Sequence, residues 1–151
     1  MKILILNGPN LQALGRREVG IYGSKSWDDI ALELSSYAAT LGVDLVYSQS
    51  NYEGALIDRI WQAAEEDISG IVINPGGLTH TSVALLDALR GAEIPAVEVH
   101  LSNIFNRESY RHESVTARGC IGVIAGFREV GYRMALAGLV SYLNVEKDRE
   151  N

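Results

Sequence analysis

Ile3-Leu4-Ile5-Leu6 form an unbroken apolar run that stops at Asn7-Gly8-Pro9-Asn10. A strand with one wet face alternates polar and apolar side chains, so a continuous run closed by turn residues suits a strand buried on both faces. Residues 43–47, 70–73, 96–99 and 121–125 repeat the form. Between these runs the apolar period changes to three and four. Trp27, Ile30, Ala31, Leu34, Ala38 and Leu41 share one helical face, with Ser26 as N-cap and Gly42 just past the end. Ile57, Ile60, Trp61 and Ala64 repeat the period, as do Val83, Leu86, Ala88 and Leu89. Residues 130–143 read as a closing helix, and the charged tail 146–151 is expected to fray. Strand and helix alternate five times. That predicts an α/β fold, a five-stranded parallel sheet with helices on both faces, right-handed crossovers and a flavodoxin-like order.

The chain has 151 residues, 47% hydrophobic and 21% charged, which predicts a single globular domain over 1–151 with a sizeable core. Thirteen Lys and Arg against nineteen Asp and Glu leave a net charge of -6. Such a field repels nucleic acid and anionic membrane surfaces, while a few local arginines can still hold a small anionic substrate. Cys120 is the only cysteine, which excludes an intramolecular disulfide or a CxxC pair and fits a reducing cytoplasm. The opening apolar run is too short for a signal peptide, and 134–143 is too short to span a bilayer. A soluble, cytoplasmic protein is expected.

In an open parallel sheet, ligands sit outside the carboxyl ends of the strands. Three strand ends are polar here: Asn7-Gly8-Pro9-Asn10, Asn74-Pro75-Gly76-Gly77, and Glu98-Val99-His100-Leu101-Ser102. Two long loops, 8–25 and 101–119, gather on the same rim. Pro75-Gly76 alone reads as a turn, but the three endings together favour a site. His80, in Thr79-His80-Thr81-Ser82, falls where a helix should start; its neighbours can be caps, and backbone N–H groups there can also meet an anion. His100 directly follows an apolar run and needs a partner if buried. A lone strand-end histidine is often structural, yet an imidazole is the natural proton shuttle near neutrality, with Glu98 or a backbone carbonyl to set its tautomer.

In the first loop, Arg16, Arg17 and Tyr22 lie among Gly15, Gly20 and Gly23, a spacing that lets the segment hinge over a bound molecule; a mobile surface loop is the plain alternative. A tyrosine of ordinary pKa ~10 is a poor base unless a guanidinium stabilises its phenolate, a part open to Arg17. In the second loop, at least one of Arg107, Arg111 and Arg118 is expected to grip substrate, the others being solvated charges. Metal binding is disfavoured, since no His-Glu-x-x-His occurs and His112 reads as solvated surface. No phosphate loop, GxGxxG or Gly-x-Ser-x-Gly is present. Lys2, Lys25 and Lys147 stand outside apolar strand interiors, which argues against imine chemistry, and Cys120 reads as a packing residue.

Several separated motifs occur in an order that resembles the type II 3-dehydroquinate dehydratases across 3–143. They are Leu6-Asn7-Gly8-Pro9-Asn10-Leu11, Leu14-Gly15-Arg16-Arg17-Glu18 with Tyr22-Gly23, Asn74-Pro75-Gly76, Thr79-His80-Thr81-Ser82 and Val97-Glu98-Val99-His100-Leu101-Ser102-Asn103. The resemblance implies elimination of water from 3-dehydroquinate through an enolate, with neither metal nor cofactor, in the shikimate pathway or quinate breakdown. It implies Tyr22 as the base with Arg17 favouring its phenolate, Asn74 stabilising the enolate through a water, and His100 protonating the departing hydroxyl. The Leu101 and Ser102 N–H groups would hold the substrate carboxylate, and His80 and Arg111 the ring hydroxyls. Asn10 and Glu98 would orient the catalytic set. Asp87 would reach a neighbouring site within trimers packed into a homododecamer.

Four positions depart from the family's usual pattern: Gln12, Val19, Leu78 and Leu86. Val19, in place of a proline, is expected to loosen the first loop. Leu86, in place of an arginine, removes a charge beside Asp87 and leaves a smaller oligomer open. Two further functions stay in view: a flavodoxin-like binding module without turnover, and a dehydratase acting on another cyclic polyol acid.

Overall fold

The computed structural model describes residues 1–16 and 18–150, with the backbone alone for Val19, Tyr22 and Glu150. Five parallel strands lie in the order β2-β1-β3-β4-β5, the flavodoxin-like arrangement. They are β1 Lys2–Asn7, β2 Asp44–Gln49, β3 Gly70–Asn74, β4 Ala96–His100 and β5 Gly122–Ala125. The helices are α1 Val19–Tyr22, α2 Trp27–Thr40, α3 Glu53–Glu65, α4 Val83–Gly91 and α5 Val130–Glu150.

Strand alternation divides the core in two. Ile3, Ile5, Val72, Val97 and Val99 meet α2 and α5 through Ile30, Leu34, Leu136 and Leu139. Leu4, Leu6, Ile71 and Ile73 meet α3 and α4 through Leu56, Ile60, Leu85 and Leu89 on the other face. Both sides of β1 and β3 are therefore dry, which is why their sequences run apolar without alternation. Among the described residues no helix is long and apolar enough to cross a membrane.

Ser26 caps α2 through a full capping box, its hydroxyl accepting from Asp29 N–H while Asp29 takes the Ser26 N–H. Gly42 follows that helix with a φ of 67°. The chain departs from the expected boundaries at its end. α5 continues through Glu150, past the apolar face that ends at Leu143 and into the segment set apart as a tail. Arg149 pairs with Glu146 at 2.8 Å one turn away, and Lys147 and Arg149 complement the negative helix end.

Candidate active site

The first sequence crossover leaves β1 for β2 on one side and the next returns to β3 on the other, opening a crevice between β1 and β3. Register pairs Asn7 with Asn74 at its lip. Gly8 N–H donates to the Asn74 carbonyl at 2.7 Å and holds the two strand ends together. An ideal Cβ on Gly8 would lie 2.4 Å from the Pro75 oxygen, so only glycine permits this approach. Asn10 then turns through the left-handed region, and its N–H donates to Asn51 Oδ1 at 2.9 Å.

A cleft of about 250 Å³ lies beyond this lip. It brings together Asn10, Asn74, His80, His100, Leu101, Ser102 and Arg111. Arg107 and Glu18 complete its polar lining. Glu108 receives Arg111 Nε at 2.9 Å, and Arg107 Nε lies 3.6 Å from the same carboxylate. The two guanidiniums bring positive charge to a chain whose net charge is negative, offset in part by Glu108 and Glu18.

His100 ends β4 with 5% of its surface exposed, above a Glu98 that is wholly buried. Their separation of two residues places both on one face of the strand. His100 Nε2 donates to Glu98 Oε1 at 2.6 Å, which leaves Nδ1 as the ring's other polar atom. Thr79 and Ser114 donate to Glu98 Oε1, both at 2.7 Å, and Thr116 donates to Oε2 at 2.6 Å. Burial alone would raise the Glu98 pKa, but His100, Thr116 and Ser114 outweigh it and hold the carboxyl below its ordinary range. His80 Nδ1 donates to the Glu113 carbonyl at 2.7 Å, which leaves Nε2 as its other polar atom.

Asn74 is anchored at both ends of its amide. Oδ1 accepts Gly76 N–H at 3.1 Å, and Nδ2 donates to the Tyr132 hydroxyl at 3.1 Å. The loop residues expected around this site divide. Gly15 and Gly23 take positive φ values of 81° and 92°, the conformations of turning points, whereas Gly20 lies inside α1 and is no separate hinge. Arg17 and the side chains of Tyr22 and Val19 lie outside the described residues.

Other expected residues stand apart from the cleft. Asp87 is exposed on α4, outside the lining of its own chain's cleft. Leu86 is buried, as its place on the apolar face of α4 implies, and a Cβ on Gly119 would come within 3.1 Å of its Cδ1. Gln12 accepts from Gln49 Nε2 at 3.2 Å, and Leu78 packs against the α3–α4 side of the core. Arg118 is an exposed partner of Glu113 at 2.8 Å, and the exposed His112 bonds the Arg107 carbonyl through Nε2 at 2.8 Å. Cys120 packs against the core, where burial and the Glu98 charge push its thiol up to about 12.

Sequence reasoning missed the Thr79, Ser114 and Thr116 hydroxyls on Glu98, and Tyr132 behind Asn74. The signal for Tyr132 was its helical spacing with Ala135, Leu136 and Leu139 on one face of the closing helix, since a buried tyrosine hydroxyl needs a partner. Among the described residues no three His, Cys, Asp or Glu side chains converge as a metal site.

A model of the family described as Dehydroquinase class II matches residues 1–140. A 3-dehydroquinate dehydratase from Carboxydothermus hydrogenoformans is 52% identical over 151 residues, covering 100% of this chain and 96% of the relative. The crystal structure of type II dehydroquinase from Butyrivibrio crossotus superposes with a TM-score of 0.90 at 45% identity, covering 92% of this chain and 97% of that one. The corresponding enzyme from Propionibacterium acnes gives a TM-score of 0.88 at 44% identity, with 93% and 96% covered. With its strand order, its strand-end motifs and its matching length, the chain belongs to the class II dehydroquinase family.

Proposed function

We propose that this protein is a 3-dehydroquinate dehydratase, a hydro-lyase that eliminates water from 3-dehydroquinate through an enolate to give 3-dehydroshikimate. The observation that carries the reading is the meeting of Asn10, Asn74, His80, His100 and Arg111 around one cleft in a chain of this family. Tyr22, its phenolate favoured by Arg17, removes the proton beside the ketone. Asn74 stabilises the enolate oxygen through a water, and His100 protonates the departing hydroxyl. Since Glu98 engages Nε2, the proton leaves from His100 Nδ1. The Leu101 and Ser102 N–H groups hold the carboxylate, His80 and Arg111 hold the ring hydroxyls, and Asn10 orients the set. The chemistry uses the chain's own side-chain and backbone groups and a water, with neither metal nor cofactor, and the chain acts as one catalytic domain in a reducing cytoplasm.

The working form is a homo-oligomer of trimers, assembled into a dodecamer, in which Asp87 reaches a neighbouring cleft. Exposed Phe105, Val123 and Phe127 line one apolar hollow beside the edge strand β5, which favours association over a lone monomer.

The test follows the product's conjugated enone by ultraviolet absorbance, with purified protein, 3-dehydroquinate and a chelator. Turnover is expected to persist under chelation. Tyr22→Phe should lower kcat by at least about 10²-fold with ligand affinity within a few fold, the scale of losing a general base. A folded, assembled wild-type protein without turnover would return the weight to a binding module or another cyclic acid. Thermal stabilisation by dehydroquinate separates those two.

A further inference from the structure

We propose that Tyr132 is a positioning residue for the elimination, acting through Asn74. The inference rests on the dehydratase reading. Tyr132 is completely buried on α5 and packs against Trp27, with ring centroids 5.3 Å apart and planes inclined by 59°. Its hydroxyl donates its single proton to Asn7 Oδ1 at 2.7 Å. A hydroxyl so committed can only accept from a further neighbour. Asn74 must therefore turn Nδ2 toward it, as it does at 3.1 Å.

The other end of the amide agrees, because Asn74 Oδ1 accepts the Gly76 N–H at 3.1 Å. Inverting the amide would set oxygen against oxygen at Tyr132 and N–H against N–H at Gly76. The clamp thus engages one Nδ2 hydrogen and leaves the second for a substrate oxygen or water in the cleft that Asn74 lines. Burial pushes the Tyr132 phenol well above its ordinary pKa, so its proton stays in place at working pH. Asn7 Nδ2 is buried with no partner among the described residues, so satisfied packing alone does not account for an amide there. Its use is the Oδ1 that takes the Tyr132 proton and sets the direction of the relay.

Tyr132→Phe keeps the ring and removes the clamp. It is expected to lower kcat about tenfold with KM within about twofold, since an oriented donor to developing charge is weakened rather than deleted. On an Asn74→Ala background, the same substitution should change kcat by less than about twofold, the non-additivity of residues acting in series. Hydrogen exchange read by mass spectrometry should show the Gly76 N–H exchanging faster in Tyr132→Phe while 70–74 stays protected. Equal losses of kcat on both backgrounds, or unchanged kcat and Gly76 exchange, overturn the proposal.

Should Tyr132→Phe not fold, Asn7→Leu frees the Tyr132 proton to turn toward Asn74 and is expected to lower kcat similarly. Full activity there is equally fatal. A wild-type protein inactive on 3-dehydroquinate refutes the dehydratase reading instead, and Gly76 exchange still decides whether Tyr132 holds Asn74.

Discussion

Glu98 carries its charge out of contact with solvent, among His100 and the hydroxyls of Thr79, Ser114 and Thr116. Burial by itself would neutralise the carboxyl, but the convergent donors outweigh it and lower the pKa. A folded-state pKa below the unfolded value contributes stability above the ordinary glutamate range, and that contribution is lost as pH falls through the lower folded value. Glu98→Gln should therefore flatten the acid side of the stability profile, from about pH 4.3 downward. Urea midpoints at a series of pH values measure this, and parallel profiles for the two proteins would refute it. The Glu98–His100 pair was legible because alternate strand residues share a face. The three hydroxyls were not, since Thr79 lies in the short turn Gly76–His80 and Ser114 and Thr116 in the segment that opens the turn Thr116–Gly119, and such irregular segments carry no periodic signal.

At the scale of elements, the site depends on how closely two strand ends approach. Gly8 lies against Pro75, where a Cβ would fall 2.4 Å from a backbone oxygen that cannot rotate away. Gly8→Ala should cost about 1–3 kcal/mol, the usual range for overpacking. Because relief of the clash would part Asn10 from Asn74, substrate affinity should fall as well. Urea denaturation and calorimetric titration check the two effects, and an unchanged midpoint would show that the lip can yield freely. The helix start at Ser26 was readable from a local pattern, a serine just before the first apolar residue of the helical period. The extent of α5 was not, because its last turns bury no apolar face and hold through charge placement instead. The four-residue α1 is likewise too short for any period to reveal.

For the whole molecule, the unresolved demand is Asp87, which is exposed and stands outside the cleft of its own chain. If a neighbouring subunit supplies it, activity belongs to the assembly. Dilution to single chains should lower kcat/KM, and Asp87→Ala should do so without dissociation. Sedimentation combined with the enone assay measures both, and full activity in isolated chains would refute the shared site. The sequence by itself determined the sheet, the helices on its two faces and the rim where Asn10, Asn74, His80, His100 and Arg111 meet. Burial on both faces writes itself as continuous apolar runs, and polar residues break those runs where strands end. Tertiary structure alone decided that Tyr132 clamps Asn74 and that hydroxyls surround Glu98. These arrangements join residues far apart in the chain by single contacts, and a single contact leaves no repeat in the sequence from which to infer it.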